Sequence, residues 1–115
     1  QLNQVFMNIL VNAIDALDEQ VEKSDGTFEP TITIQTTPVS PTLIQIAIAD
    51  NGTGIPAAVK ARIFDPFYTT KAVGKGTGMG MSISHQIITE RHNGTLTCLS
   101  TPGQGTQFLI QIPIQ

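Results

Sequence analysis

Four stretches of alternating apolar residues reach the chain in two closely linked pairs, and this pairing restricts the fold more than any other feature. TITIQ from Thr31 and LIQIAIAD from Leu43 to Asp50 flank a proline-punctuated turn, Pro38 to Pro41. TLTCLS from Thr95 and TQFLIQIPI from Thr106 flank the turn TPGQG. Alternation places one face of each strand in a core. Links this short join antiparallel neighbours, because parallel strands need a long crossover. A doubly wound sheet, in which strands alternate singly with helices, is therefore excluded.

The remaining periodic segments are helical. Residues 2–22 carry Leu2, Val5, Phe6, Ile9, Ala13, Leu17 and Val21 near helical spacing, and 23–30 form a loop. Residues 57–64 read as a short helix ending before Asp65-Pro66, and a longer one runs from about Gly78 to His92. The latter is expected to bury Met79, Ile83 and Ile87 and to close at Asn93-Gly94. The predicted fold is a two-layer α/β (α+β) sandwich, a mostly antiparallel mixed sheet covered on one face by about three helices. With 115 residues it forms one domain, residues 1–115.

Charge narrows the function. A net charge of −3 and a pI near 5.1 exclude a surface built to grip nucleic-acid phosphates. An anionic ligand would have to be held by backbone N–H groups, a metal ion or one or two placed lysines. Cys98 is the single cysteine, so neither an internal disulfide nor a thiolate cluster can form, and its strand setting makes it a buried apolar residue. No apolar run approaches the ~20 residues of a membrane span.

Three constellations could carry chemistry. Asn8, Asn12, Asp15 and Glu19, spaced four, three and four apart, share one face of the first helix. A solvated stripe is one reading. The other is a ligand set for a hard cation, since Asn costs roughly 0.5 kcal/mol against Ala inside a helix and an amide oxygen suits Mg²⁺. DNGTG at 50–54 is by itself a good turn. It could also place the Asp50 carboxylate at a cavity, where it would accept the amino N–H of adenine but face the carbonyl of guanine, with Gly52 and Gly54 admitting a flat ring. GKGTGMG at 74–80 is either a flexible linker or a phosphate cradle at a helix start, flanked by Lys71 and Lys75. His85 and His92 read as a helix-surface and a helix-terminal residue, with no second imidazole or cysteine nearby to suggest zinc.

Taken in order, QVFMNILVNAIDAL, DNGTGIP, IFDPFYTTK, GKGTGMGMSIS and STPGQGTQFLIQIP resemble five elements of one family. These are the N, G1, F and G2 boxes and the closing glycine turn of the catalytic ATP-binding domain of bacterial sensor histidine kinases. That domain shares the Bergerat (GHKL) fold of gyrase, Hsp90 and MutL. NAIDAL and FYTTK are most similar to the nitrogen-regulation type. The resemblance implies an ATP-dependent protein-histidine kinase domain of two-component signalling, with ATP and Mg²⁺ as ligands.

It assigns Asn12 to Mg²⁺ and Asn8 to the phosphates, with Asp15 on the same face. Asp50 is assigned to the adenine amino group, with Gly52, Gly54, Ile55 and Thr106 around it. Phe64 and Phe67 anchor a lid, and Lys71, Lys75, Gly76, Thr77, Gly78, Met79 and Gly80 form its phosphate-facing end. Asn8 stands where the hydrolytic relatives carry a water-activating Glu. An amide cannot be a general base, which favours phosphotransfer over a GHKL-type ATPase. An anti-sigma-type serine kinase and a non-catalytic nucleotide sensor stay open as well.

The expected partners are a histidine-bearing dimerisation domain of the same protein and a cognate response regulator. Neither nucleic acid nor direct membrane contact is expected. The expected location is cytoplasmic, compatible with a membrane-anchored parent. The phosphoacceptor domain, and the first strand usual in the family, are expected to lie outside this segment, so the segment alone should not autophosphorylate.

Overall fold

The computed structural model describes residues 2–65 and 80–114. In chain order the elements are α1 (Leu2–Lys23), β1 (Ile32–Ser40), β2 (Leu43–Asp50), α2 (Ala57–Lys60), α3 (Gly80–Gln86, continued by a π-turn over Ile87–Arg91), β3 (Thr95–Thr101) and β4 (Gly105–Pro113). Among the described residues the strands form one sheet of order β1-β2-β4-β3, and every pairing is antiparallel. The predicted two-layer sandwich is what forms.

α1 folds onto the sheet through Val5, Ile9, Ala13 and Leu17, each four residues on from the last. Leu2, Phe6 and Leu10 pack beside them at the edge of the core. Val21, expected on the same stripe, is instead 46% exposed. At 100° per residue a strict i, i+4 row drifts round the helix, so a residue that far along no longer faces the sheet.

β4 shows the sheet's two-sidedness directly. Thr106, Phe108, Ile110 and Ile112 are buried beneath the helices, and the residues between them are more open. Register places Ile48 opposite Phe108 and Ile46 opposite Ile110, so the core face continues into β2. Leu96 and Cys98 of β3 extend it to the far edge, where burial pushes the Cys98 thiol up to about 11 and makes it a packing residue.

Two expected boundaries move. Pro38 lies inside β1, opposite Ile44, and the turn shrinks to Pro41-Thr42. β1 is an edge strand and its register slips between Pro38 and Ser40, so the missing N–H breaks no interior ladder. α2 is four residues long and buries none of them, so no packing energy extends the helix to residue 64.

α3 buries Ile87 as expected, but its inward side is rotated: Met81, Ser84 and Ile88 are buried with it and Ile83 only partly so, while Met79 lies outside the described residues. The π-turn keeps two adjacent isoleucines under cover. Asn93, in the left-handed region at φ 54°, then lets the Gly94 N–H reach the Ile88 carbonyl at 2.9 Å and close the helix, as the Asn-Gly pair predicts. Among the described residues, no helix is long and apolar enough to cross a membrane.

Candidate nucleotide site

Asp50 is the last residue of β2, on the helix-facing side of the sheet and in register with Thr106 of β4. Its carboxylate accepts the Gly52 N–H at 2.9 Å, so side chain and turn fix each other. Burial pushes its carboxyl above the ordinary carboxylate range, while backbone hydrogen bonds from Gly52 and Thr106 oppose the shift. Among the described residues no cation contributes to that balance. A carboxylate partly buried in this way costs free energy in the folded chain.

The loop after Asp50 is gripped from three sides. Asn51 accepts the Thr31 N–H at 2.8 Å and donates to the Glu29 carbonyl at 3.0 Å, tying down the segment that leads into β1. Gly52 lies against α1: a Cβ there would come within 2.9 Å of the carbonyl carbon, carbonyl oxygen and Cβ of Ala16. Gly54, at φ +77°, has its would-be side-chain space filled by the backbone of Thr101 and Pro102. The vacant space at these two glycines, expected to admit an approaching ring, is therefore taken up by α1 and by the β3–β4 turn. Gly103 N–H completes that contact on the Thr53 carbonyl at 2.7 Å.

Ser100, like Ser84 on α3, is a residue that sequence reasoning missed. Its hydroxyl donates to the Gly105 carbonyl at 3.0 Å and accepts the Ile55 N–H at 2.7 Å. The Thr106 hydroxyl lies 2.9 Å from the same oxygen. Ser100 has one proton and it is committed to Gly105, so Thr106 must donate here, and its own oxygen is left as an acceptor. Cross-strand pairing of Ser100 with Thr106 was the available signal, visible only once the β3–β4 register is known. Ser100→Ala should strip the buried-side acceptor from Ile55 and Thr106 together and destabilise the domain by about 1–3 kcal/mol. Urea denaturation checks this; an unchanged midpoint would mean that the bridge is not formed in solution.

The asparagine face of α1 points towards α3. Asn8 Nδ2 donates to Ser84 Oγ at 3.1 Å, which ties this face of α1 to α3. Asn12 is half-buried one turn on, and Asp15 is exposed. Glu19, on the same face, pairs with Lys23 at 3.3 Å as a solvated surface pair. Because Gly52 touches Ala16, Asn12 and Asn8 lie one and two turns from that contact, about 6 and 12 Å along the axis. Asp50 and the two asparagines thus mark successive points along one side of α1. The neutral carbonyl oxygens of the asparagines suit a Mg²⁺ ion that brings waters and phosphate oxygens as its other ligands. Among the described residues, no group of three His, Cys, Asp or Glu could hold a metal by itself.

Phe64 stacks on His85 with ring centroids 4.8 Å apart, fastening the chain after α2 to α3. Gly80 opens α3. Phe67, Lys71, Lys75, Gly76, Thr77, Gly78 and Met79 lie outside the described residues.

Comparison with known proteins identifies the family and the fold. The family described as histidine kinase-, DNA gyrase B-, and HSP90-like ATPase matches residues 1–115. The chain is 41% identical over 113 residues to the signal transduction histidine-protein kinase AtoS of Escherichia coli (strain K12), covering 98% of this chain and 17% of that protein. It is 38% identical over 113 residues to sporulation kinase A of Bacillus subtilis (strain 168), covering 98% and 16%. It therefore spans less than a fifth of the length of these relatives.

Among solved structures, the nucleotide-free catalytic domain of histidine kinase ThkA superposes with a TM-score of 0.75 at 31% identity, over 97% of this chain and 66% of that one. A mycobacterial sensor histidine kinase, MprB, shares the fold with a TM-score of 0.77 at 23% identity, over 97% and 71%. With a match over its full length and sensor kinases as its relatives, the chain belongs to the histidine kinase-, DNA gyrase B- and HSP90-like ATPase family.

Proposed function

We propose that the chain binds Mg-ATP, with adenine on Asp50 and the phosphates running along α1 towards Asn12 and Asn8. In the whole protein, the γ-phosphate would pass to a histidine outside this segment and then to a response regulator. The observation that carries the reading is the Asp50 carboxylate, held partly buried, with no cation against it among the described residues, and beside an acceptor-presenting Thr106. Such a pair of acceptors suits a ligand that brings its own N–H donor, as adenine does.

Asn12 and Asn8 would hold and orient the phosphate end, and Lys71 and Lys75 would lower its negative charge. Mg²⁺, when bound, supplies neutralisation of the phosphate oxygens. Asn8 cannot take a proton from water, so this chain's residues position the phosphate without activating a hydrolytic nucleophile. His85 is stacked on Phe64, and the Nε2 of His92 is buried without a hydrogen-bond partner among the described residues, which favours an acceptor imidazole elsewhere. A cytoplasmic location follows for a domain that uses ATP in signalling.

Calorimetric titration of the 115-residue chain with ATP and GTP, each with and without Mg²⁺, tests the proposal. ATP should bind more tightly with Mg²⁺ than without, and GTP at least about tenfold more weakly than ATP, because a carbonyl facing Asp50 loses one hydrogen bond and leaves an acceptor unpaired. Equal affinity for the two nucleotides would remove Asp50 from base recognition, and no binding of either would overturn the reading.

A further inference from the structure

α1 carries a second apolar stripe that faces away from the core. Met7, Val11, Ile14 and Val21 are 59, 45, 49 and 46% exposed, spaced four, three and seven residues apart. With Asp18 they complete the 4-3-4-3 row of a helix-packing seam about 21 Å long. The row lies roughly a third of a turn round the helix from Asn8 and Asn12, so it is separate from the nucleotide face.

The charge along this face is graded. Residues 2–14 hold no charged side chain, whereas 15–23 hold Asp15, Asp18, Glu19 and Glu22 against Lys23 alone. Lys23 is already engaged by Glu19. Carboxylates near a helix C-terminus oppose the helix dipole, costing about 0.3–1 kcal/mol each, and where Lys23 offsets this for Glu19, no cation of α1 is left to do so for Glu22. An apolar half followed by an acidic half, on one straight seam, has a definite complement.

We propose that this face of α1 docks an amphipathic helix of a partner, apolar opposite Met7, Val11 and Ile14 and bearing lysines or arginines opposite Asp18 and Glu22. Knobs-into-holes packing accounts for the apolar spacing, and ion pairs at the acidic end fix the direction in which the partner lies. The inference does not depend on the nucleotide reading, and bound ATP should leave the docking unchanged.

The test is a fluorescence anisotropy titration of the 115-residue chain with a labelled 21-residue helical peptide having leucine on its seam and lysine on its flanks. A second peptide with glutamate for every lysine is the control. The lysine peptide should bind one to one and weaken as salt rises. Val11→Glu and Asp18→Lys should each weaken it at least about tenfold, a loss of about 1.4 kcal/mol, with circular dichroism confirming the fold. Glu29→Lys, on the exposed loop before β1, should leave it within about twofold, the range expected of a remote surface charge. Absence of saturable binding overturns the proposal. So does equal binding of the glutamate peptide, or an effect of Glu29→Lys as large as that of Asp18→Lys, which would mean unspecific attraction to an acidic protein. Concentration-dependent dimers abolished by Val11→Glu would also overturn it, by giving the face to a second copy of the chain.

Discussion

Asp50→Asn should lose nucleotide binding and gain thermal stability in the same molecule. The loss comes from replacing a charged acceptor of the adenine amino group with a neutral one. A hydrogen bond to a charged partner is worth about 1.5–3 kcal/mol, so affinity should fall roughly 10- to 100-fold. The gain comes from burial. The folded-state pKa of Asp50 is raised above the ordinary value of 3.8, chiefly by desolvation, so the ionised form costs more in the folded chain than in the unfolded one.

For a carboxyl shifted this way, stability from this group is fully present below the unfolded pKa and is lost as pH rises through the folded pKa. Asparagine carries no charge to desolvate and can still accept the Gly52 N–H. The variant's advantage in Tm should therefore be largest at neutral pH. It should shrink as pH falls through the raised value and vanish below 3.8, where wild-type Asp50 is protonated in both states. Thermal scans between pH 3 and 8 with parallel ATP titrations check both halves. A variant that is less stable at pH 7 would mean that Asp50 holds its loop in place, with no desolvation cost to relieve. The expected trade follows when a binding group is held at a cost to the fold.

The fold was legible because its signals are periodic. Phe108, Ile110 and Ile112 of β4 alternate with more open residues, and period two cannot be confused with the helical spacing of Val5, Ile9, Ala13 and Leu17. Errors arose where tertiary context overrides a local rule. Pro38 reads as a turn residue until β1 is known to be an edge, and Val21 reads as core until the drift of the stripe is followed.

The candidate site was legible where a residue's chemistry is unusual for its place. A carboxylate ending an apolar strand, as in LIQIAIAD, stands out in the sequence. Ser100 and Ser84 do not, because a serine in TLTCLS or GMSIS is ordinary until its partners across β4 and α1 are placed. Gly52 was singled out as admitting a flat ring, whereas its close approach to Ala16 of α1 is visible only in three dimensions.

That contact makes Gly52→Ala the other substitution with a large expected effect. A methyl group at Gly52 would meet three Ala16 atoms at 2.9 Å, closer than real Cβ atoms come, and two of the three belong to the helix backbone. Backbone in the middle of a 22-residue helix cannot swing aside as a side chain can, so the loop must lift away from α1. Overpacking of this kind costs about 1–3 kcal/mol. Lifting the loop also moves the Gly52 N–H that anchors the Asp50 carboxylate, so nucleotide affinity should fall together with stability, unlike in Asp50→Asn.

The double variant Gly52→Ala/Ala16→Gly separates side-chain from backbone crowding. It removes one of the three contacts and leaves the two backbone ones, so it should recover little of either property. Adding a glycine in mid-helix also costs about 1 kcal/mol by itself. Urea denaturation and ATP titration of both variants decide the matter. Full recovery of binding in the double variant would place the clash at the Ala16 methyl alone, and α1 would then not be the fixed wall against which the Asp50 loop is set.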